Sequence, residues 1–235
     1  MEESINVIIR TFRLPYTDLY LNINPFTLKM TWIVIGIVIL GMLLLKRRLT
    51  VIPDRRQSFL EVLSEWFDNM LTESLGEDGR NFLPFIMTLF LFVLVSNLLS
   101  IIPTLNSPTA DLNTCFGLGI LVFFIAHISA IRKMGFRNYF RRYFKPFWWL
   151  FPSNMISEFS KTLSHSLRLF GNIFAGGLML SFLPFIIKMI PRSLGIPLNL
   201  TLMPIVTFFF GIVVGCIQAF VFTILAVAYI SVLRY

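Results

Sequence analysis

Apolar residues run in five long blocks along this chain, separated by short segments rich in charge, proline and asparagine. A helix crossing a bilayer needs about 20 mostly apolar residues. The pattern predicts three spans of ordinary length, 26–45, 82–103 and 114–131. Two further blocks, 147–190 and 199–231, are too long to be simple spans. As straight helices they would extend roughly 65 and 50 Å at 1.5 Å per residue, against a hydrocarbon core of about 30 Å. They are expected to tilt strongly, break, or run partly along the membrane, with Pro184, Pro191 and Pro197 marking the join between them.

The segment 54–76 has a different period. Phe59, Leu63, Trp66, Phe67, Met70 and Leu71 fall on one helical face, and Glu61, Ser64, Glu65, Asp68 and Glu73 on the other. This predicts an amphipathic helix lying at the membrane interface, with Asp54 as its cap; the alternative is a surface helix packed on a partner. Residues 1–25 form an N-terminal segment ahead of the first span. They have an acidic start and no apolar core before a small-residue cleavage site, so no secretory signal is expected.

Composition agrees with the pattern. Of 235 residues, 56% are hydrophobic and only 14% charged, which excludes an ordinary soluble domain. The expected fold is an all-α polytopic membrane protein, one membrane domain over 1–235. The net charge of +8 does not imply nucleic acid, because the cations cluster beside apolar blocks and no nucleic-acid-binding module accompanies them. One cluster is Lys46, Arg47 and Arg48 with Arg55 and Arg56. The other is Arg132, Lys133, Arg137, Arg141, Arg142 and Lys145, interleaved with aromatics and followed by "PFWWLFP". By the positive-inside rule both mark the cytoplasmic side, which puts the N-terminus outside. Cys115 and Cys216 lie in apolar stretches without metal-ligand spacing and read as packing residues. No metal or cofactor is expected. No internal repeat is evident, which weakens the case for an inverted-repeat transporter.

Candidate chemistry concentrates in the fourth block. Asn154, Glu158, Lys161, His165, Arg168 and Asn172 recur at steps of four and three, so a helix carries them on one face. An arginine within a bilayer costs from about 2.5 kcal/mol to above 10, so such residues normally face a water cavity or an ion pathway. A structural ion pair between Arg168 and Glu158 within one helix is poor, since ten residues span about 15 Å. Gly171, Ala175, Gly176 and Gly177 follow with almost no side-chain bulk, which suits the close approach of another helix. The fifth block has Gly211, Gly215 and Ala219 on one strip, with Gln218 as its main polar group. Gln218 is expected to bond either to the Arg168 stripe or to a backbone group.

"SLRLFGNIFAGG", followed about forty residues later by "IQAFVFTILAVAYI", closely resembles subunit a of the rotary F-type ATP synthases; "LFLFVLVSNLLSIIP" and "SPTADLN" are similar too, so the resemblance runs from about residue 50 to the end. It implies a non-catalytic stator subunit. Two long tilted helices would pack against a ring of c subunits, with peripheral-stalk b subunits, other synthase subunits and membrane lipid as partners. Two offset half-channels would carry ions to and from the ring carboxylates. By its place in "LRLFGN", Arg168 resembles the family's essential arginine, and Asn172 and Gln218 its polar companions.

Two positions depart from that pattern. Where the family generally has an ionisable residue nine positions after the arginine and another seven before the glutamine, this chain has Gly177 and Gly211. A proton path would then rely on water, Asp111, His127, Glu158 or His165, with Lys161 beside them. The other reading is Na⁺ as coupling ion, carried along a hydrated path lined by oxygens; protons are preferred because most of the family uses them. The competing functions are a stand-alone secondary transporter whose Arg168 binds an anionic substrate, and a structural scaffold without transport. The absence of a presequence points to a bacterial inner membrane, with the mitochondrial inner and plastid thylakoid membranes as alternatives.

Overall fold

The structure is a computed structural model that describes residues 10–13, 20–46, 55–102, 105, 107–144, 147–189 and 191–234. Asp54, Arg47, Arg48 and Lys145 lie outside the described residues, and the cap and charge roles expected of them with it. The architecture is all-α, apart from a small antiparallel ribbon of β1 (Arg10–Arg13) and β2 (Tyr20–Ile23), with Arg10 opposite Ile23. Strands this short are too brief for the period of two that reveals a strand in a sequence.

The helices are α1 (Pro25–Lys46), α2 (Arg55–Leu75), α3 (Leu83–Leu99), α4 (Leu112–Met134), α5 (Phe136–Tyr143), α6 (Phe151–Ile187), α7 (Arg192–Phe208) and α8 (Gly215–Arg234). Five helical stretches are long and apolar enough to cross a membrane, at 25–44, 77–99, 112–134, 148–187 and 195–234. The third extends beyond the apolar block because polar chemistry ends it. Asp111 accepts from the Asn113 backbone N–H at 3.0 Å and caps the start. Gly135, at φ 79°, adopts the left-handed conformation that stops the helix.

The join between the two long blocks differs from the expectation. Only Pro191 stands there; Pro184 lies inside α6 and Pro197 inside α7. The last helical run therefore begins at Arg192 rather than at 199. It continues through a π-helical turn, Phe209–Val214, into α8 without a break. A proline inside a helix removes one donor, which a membrane helix tolerates where neighbouring turns keep their bonds. After Pro184 the ladder resumes with Lys188 N–H donating to its carbonyl at 3.1 Å.

α3 lies at the centre, packed chiefly on α8, while α4 packs on both α6 and α8. Phe67, Ile86, Val93, Ala126, Phe222 and Ile230 fill the core. The small residues of the fifth block are consumed here. A side chain at Gly211 would collide with Ile101, Gly215 abuts Asn97, and Ala219 is buried. The close approach they allow is that of α3, within the chain itself.

A buried polar network fixes the same contact. Asn97 Nδ2 donates to the Gly215 carbonyl at 3.0 Å, and Thr109 Oγ1 donates to Asn97 Oδ1 at 2.9 Å. Ser107 Oγ donates to the Ser96 carbonyl at 2.6 Å, which ties the 107–110 turn to α3.

Part of the apolar face of α2 is buried within the chain's own core, with Phe67, Leu71 and Leu75 at 0–1% exposure, while Trp66 is 40% exposed. Its contacts step along α8: Trp66 meets the Phe220 ring at 4.9 Å, and Ser231 Oγ donates to the Ser74 carbonyl at 2.7 Å.

Candidate functional site

Arg168 stands at the middle of α6, exposed, with no hydrogen bond or ion pair to any described residue. Its strip of the helix is bare. Ser164 and Ala175 are exposed, and a Cβ built at Gly171 meets nothing within 4 Å. Gly176, grouped with these by its sequence position, packs against Phe210, and Gly177, about two and a half turns from Arg168, opens on the opposite side of the helix.

The polar stripe straddles the edge of the packed bundle. Glu158, His165 and Asn172 recur every seven residues and are partly buried toward α4 and α8, whereas Arg168 and Lys161 lie on the open margin. Asn172 Nδ2 donates to Gln218 Oε1 at 3.3 Å, which joins α6 to α8 one turn from Arg168. His165 sets its ring edge-on against Phe222 at 5.3 Å, and its Nε2 is buried without a hydrogen bond among the described residues. The helix places it one turn on the other side of Arg168.

Toward the α5 end the stripe enters a cluster of polar groups. Lys161 Nζ donates to Glu158 Oε1 at 2.8 Å, while Glu158 Oε2 is buried without a hydrogen bond among the described residues. Glu158 thus pairs one turn away on its own helix, and not with Arg168. The Tyr229 hydroxyl from α8 is directed at Glu158 and Thr162 yet closes no hydrogen bond of good geometry to them. His127 Nδ1 donates to the Phe123 carbonyl at 2.9 Å, which leaves Nε2 as the ring nitrogen that can exchange a proton. Its ring lies 6.1 Å from Tyr229 and 5.9 Å from Tyr139, within electrostatic reach of Glu158.

Beneath them Tyr139 and Tyr143 share a hydrogen bond of 2.7 Å between hydroxyls. Burial pushes both phenols above their usual range, so they stay protonated at any neutral pH. Asn154 closes this end, donating to the Tyr143 carbonyl at 2.9 Å.

At the opposite end a cavity of about 800 Å³ opens between α6, α7 and the turn after α3. Asn172 lines it, and so do Ser100, Ser107, Ser181 and Thr207, whose hydroxyls each donate to a backbone carbonyl, in an otherwise mostly apolar surround. Gly177 and Gly211, the two positions that lack the ionisable residues, both line it. Asp111 lies near this end but not among the lining residues, and its carboxylate is engaged as the α4 cap.

Tyr229, Thr162 and Tyr139 were not among the residues singled out from the sequence. Tyr229 carries no periodic signal in its apolar run; only the packing of α8 on α6 brings it to Glu158.

The model of the ATP synthase A chain family matches residues 28–231. The chain belongs to this family. It is 40% identical to ATP synthase subunit a of Moorella thermoacetica over 205 residues, covering 87% of this chain and 88% of the relative. It is 39% identical to ATP synthase subunit a 1 of Crocosphaera subtropica over 214 residues, covering 90% and 87% of the two chains. It is also 39% identical to ATP synthase subunit a of Geobacter sulfurreducens over 209 residues, covering 86% and 84%. With its five candidate spans, the chain is a multi-pass membrane protein of the ATP synthase A chain family.

The two glycine positions differ in what they can accept. Gly177 faces open space, whereas a Cβ at Gly211 would drive into Ile101 Cγ1. Gly177→Glu is therefore expected to leave the yield of assembled complex unchanged. Gly211→His is expected to lower that yield several-fold, since overpacking costs about 1–3 kcal/mol, and pairing it with Ile101→Ala should restore the yield. Native gel electrophoresis of solubilised membranes reads both results; normal yield of Gly211→His alone would contradict the packing argument.

Proposed function

We propose that this chain is the stator subunit a of a rotary F-type ATP synthase and conducts protons through two offset half-channels to and from the carboxylates of a c-ring. The observation that carries this reading is Arg168 on a bare helix face, without a partner among the described residues, between a cavity that carries Asn172 and several hydroxyl residues in a mostly apolar lining and a polar cluster at the opposite end of the bundle. A fixed cation favours the ionised form of any carboxylate that passes within about 4–6 Å. Each ring carboxylate would therefore release its proton on reaching Arg168 and take up another on leaving it. The same charge blocks direct proton passage between the two paths.

The cavity lined by Asn172, Gly177 and Gly211 serves as the outer half-channel and the Glu158 cluster as the cytoplasmic one. The basic residues Arg132, Lys133, Arg137, Arg141 and Arg142 support this orientation, since they gather at the Glu158 end. It puts the N-terminus outside. Water in the outer path takes over the work of the two missing ionisable groups. Proton transfer in the inner path involves Glu158, His127 and the Tyr229 hydroxyl; Glu158 Oε2 and the Tyr229 hydroxyl, without partners among the described residues, call for bridging water. The direction of flow comes from the membrane field, worth about 2.3 kcal/mol per unit charge per 100 mV. Partners are the c-ring, the peripheral-stalk b subunits and lipid; the membrane is the bacterial inner membrane.

The identity of the ion is tested by ATP hydrolysis of the purified complex at high pH with and without Na⁺. Equal rates are expected. Strict dependence on Na⁺ would overturn the proton reading and leave the stator reading standing.

A further inference from the structure

Arg234, near the end of α8, is only 8% exposed, yet its guanidinium is mostly unused. Nη2 reaches Asp78 Oδ2 at 3.1 Å and the group lies over the Phe82 ring at 5.4 Å, but Nε and Nη1 are buried without a hydrogen-bond partner among the described residues. A buried cation with two unsatisfied donors is costly and calls for an anion or ordered water. The rest of α8's end is satisfied from elsewhere: Arg142 donates to the Leu233 and Val232 carbonyls, at 2.8 Å each.

Arg234 lines a cavity of about 590 Å³ between the start of α3 and the ends of α4 and α8. Arg132 and Lys133 line it too, and Asp78 is the one carboxylate among the described lining residues. Ser129 adds a hydroxyl, and Phe82 and Ile128 supply apolar wall. From Ile128 an exposed apolar strip runs along α4 through Phe124 and Leu121, away from the charged end and toward the middle of the span. A ligand that matches both parts has an anionic head and a long apolar tail.

We propose that this cavity binds an anionic phospholipid, with the headgroup phosphate on Arg234 and Arg132 and an acyl chain along the α4 strip. Guanidinium groups bind phosphate through paired, charge-assisted hydrogen bonds, and basic pockets between spanning helices on the cytoplasmic side are a general form of lipid headgroup site. The site is separate from the proton path, and its test does not depend on that path.

The intact complex is purified in mild detergent, supplied with phosphatidylglycerol or phosphatidylcholine and washed, and the retained lipid is measured by mass spectrometry. Wild type is expected to retain phosphatidylglycerol over phosphatidylcholine. Arg234→Gln and Arg132→Gln are each expected to lower that retention by about tenfold, the size of one lost contact to a charged group. Arg132 is exposed, so its variant decides the matter if Arg234→Gln does not assemble. A large excess of inorganic phosphate is expected to leave the lipid bound. Equal retention of the two lipids, unchanged retention in the Arg132 variant, or displacement by inorganic phosphate alone would each overturn the proposal. So would a wild-type complex whose cavity is filled by an acidic side chain of a neighbouring subunit.

Discussion

Replacement of Arg168 by alanine is expected to abolish ion-driven ATP synthesis while the complex still assembles at the wild-type level. Assembly survives because Arg168 is exposed and has no partner among the described residues, so its removal orphans no buried group. Coupling fails for an electrostatic reason. A cation at contact distance lowers a carboxylate pKa by about 1–3 units, which raises the ratio of ionised to protonated carboxylate by about ten- to a thousandfold. Without that shift a ring carboxylate passes the stator still protonated, and nothing separates the two half-channels. Synthesis by inverted membrane vesicles, with immunoblots of this chain and its partners, reads both parts. Normal coupled synthesis in the variant would end the assigned role of Arg168.

Glu158→Gln has the second largest expected effect, a fall of about tenfold or more in coupled proton flux, the scale of a lost proton-transfer group. The substitution keeps the shape of the side chain and removes only its ability to hold and pass a proton. Lys161→Gln is the control. Lys161 is 44% exposed, and so open an ion pair contributes at most about 1 kcal/mol, so flux should hardly change. Were Glu158 merely the partner of Lys161, the two variants would be equally mild. Proton pumping measured by a pH-sensitive dye separates these outcomes.

Much of the architecture was legible in the residues themselves. The apolar blocks correspond to the five long helical stretches, because a chain that must satisfy its backbone in lipid has the helix as its available form. The stripe from Asn154 to Asn172 was also legible, since a helix repeats faces every three to four residues. Its division was not. Periodicity places Glu158, His165, Arg168 and Asn172 within one sector but does not say where neighbouring helices end, and that boundary decides which side chains are enclosed and which stay open.

The small residues make the same point. Gly171, Gly177, Gly211 and Gly215 look equivalent in an apolar run, yet two face open space and two are pressed against α3 and the turn that follows it. Likewise Pro197 reads as a break and lies within a helix, because backbone continuity depends on the turns around it rather than on one residue.

The sequence by itself determined the solvent this chain lives in, the number of its long helices, its charge asymmetry and its family, because these follow from composition, period and motif. Only the tertiary structure decided how the groups converge. It packed α8 on α3 through glycines, brought Tyr229 to Glu158 and Gln218 to Asn172, opened a cavity at Gly177 and Gly211, and left Arg168 unpaired. Those outcomes depend on contacts between residues far apart in the chain, which no local pattern encodes.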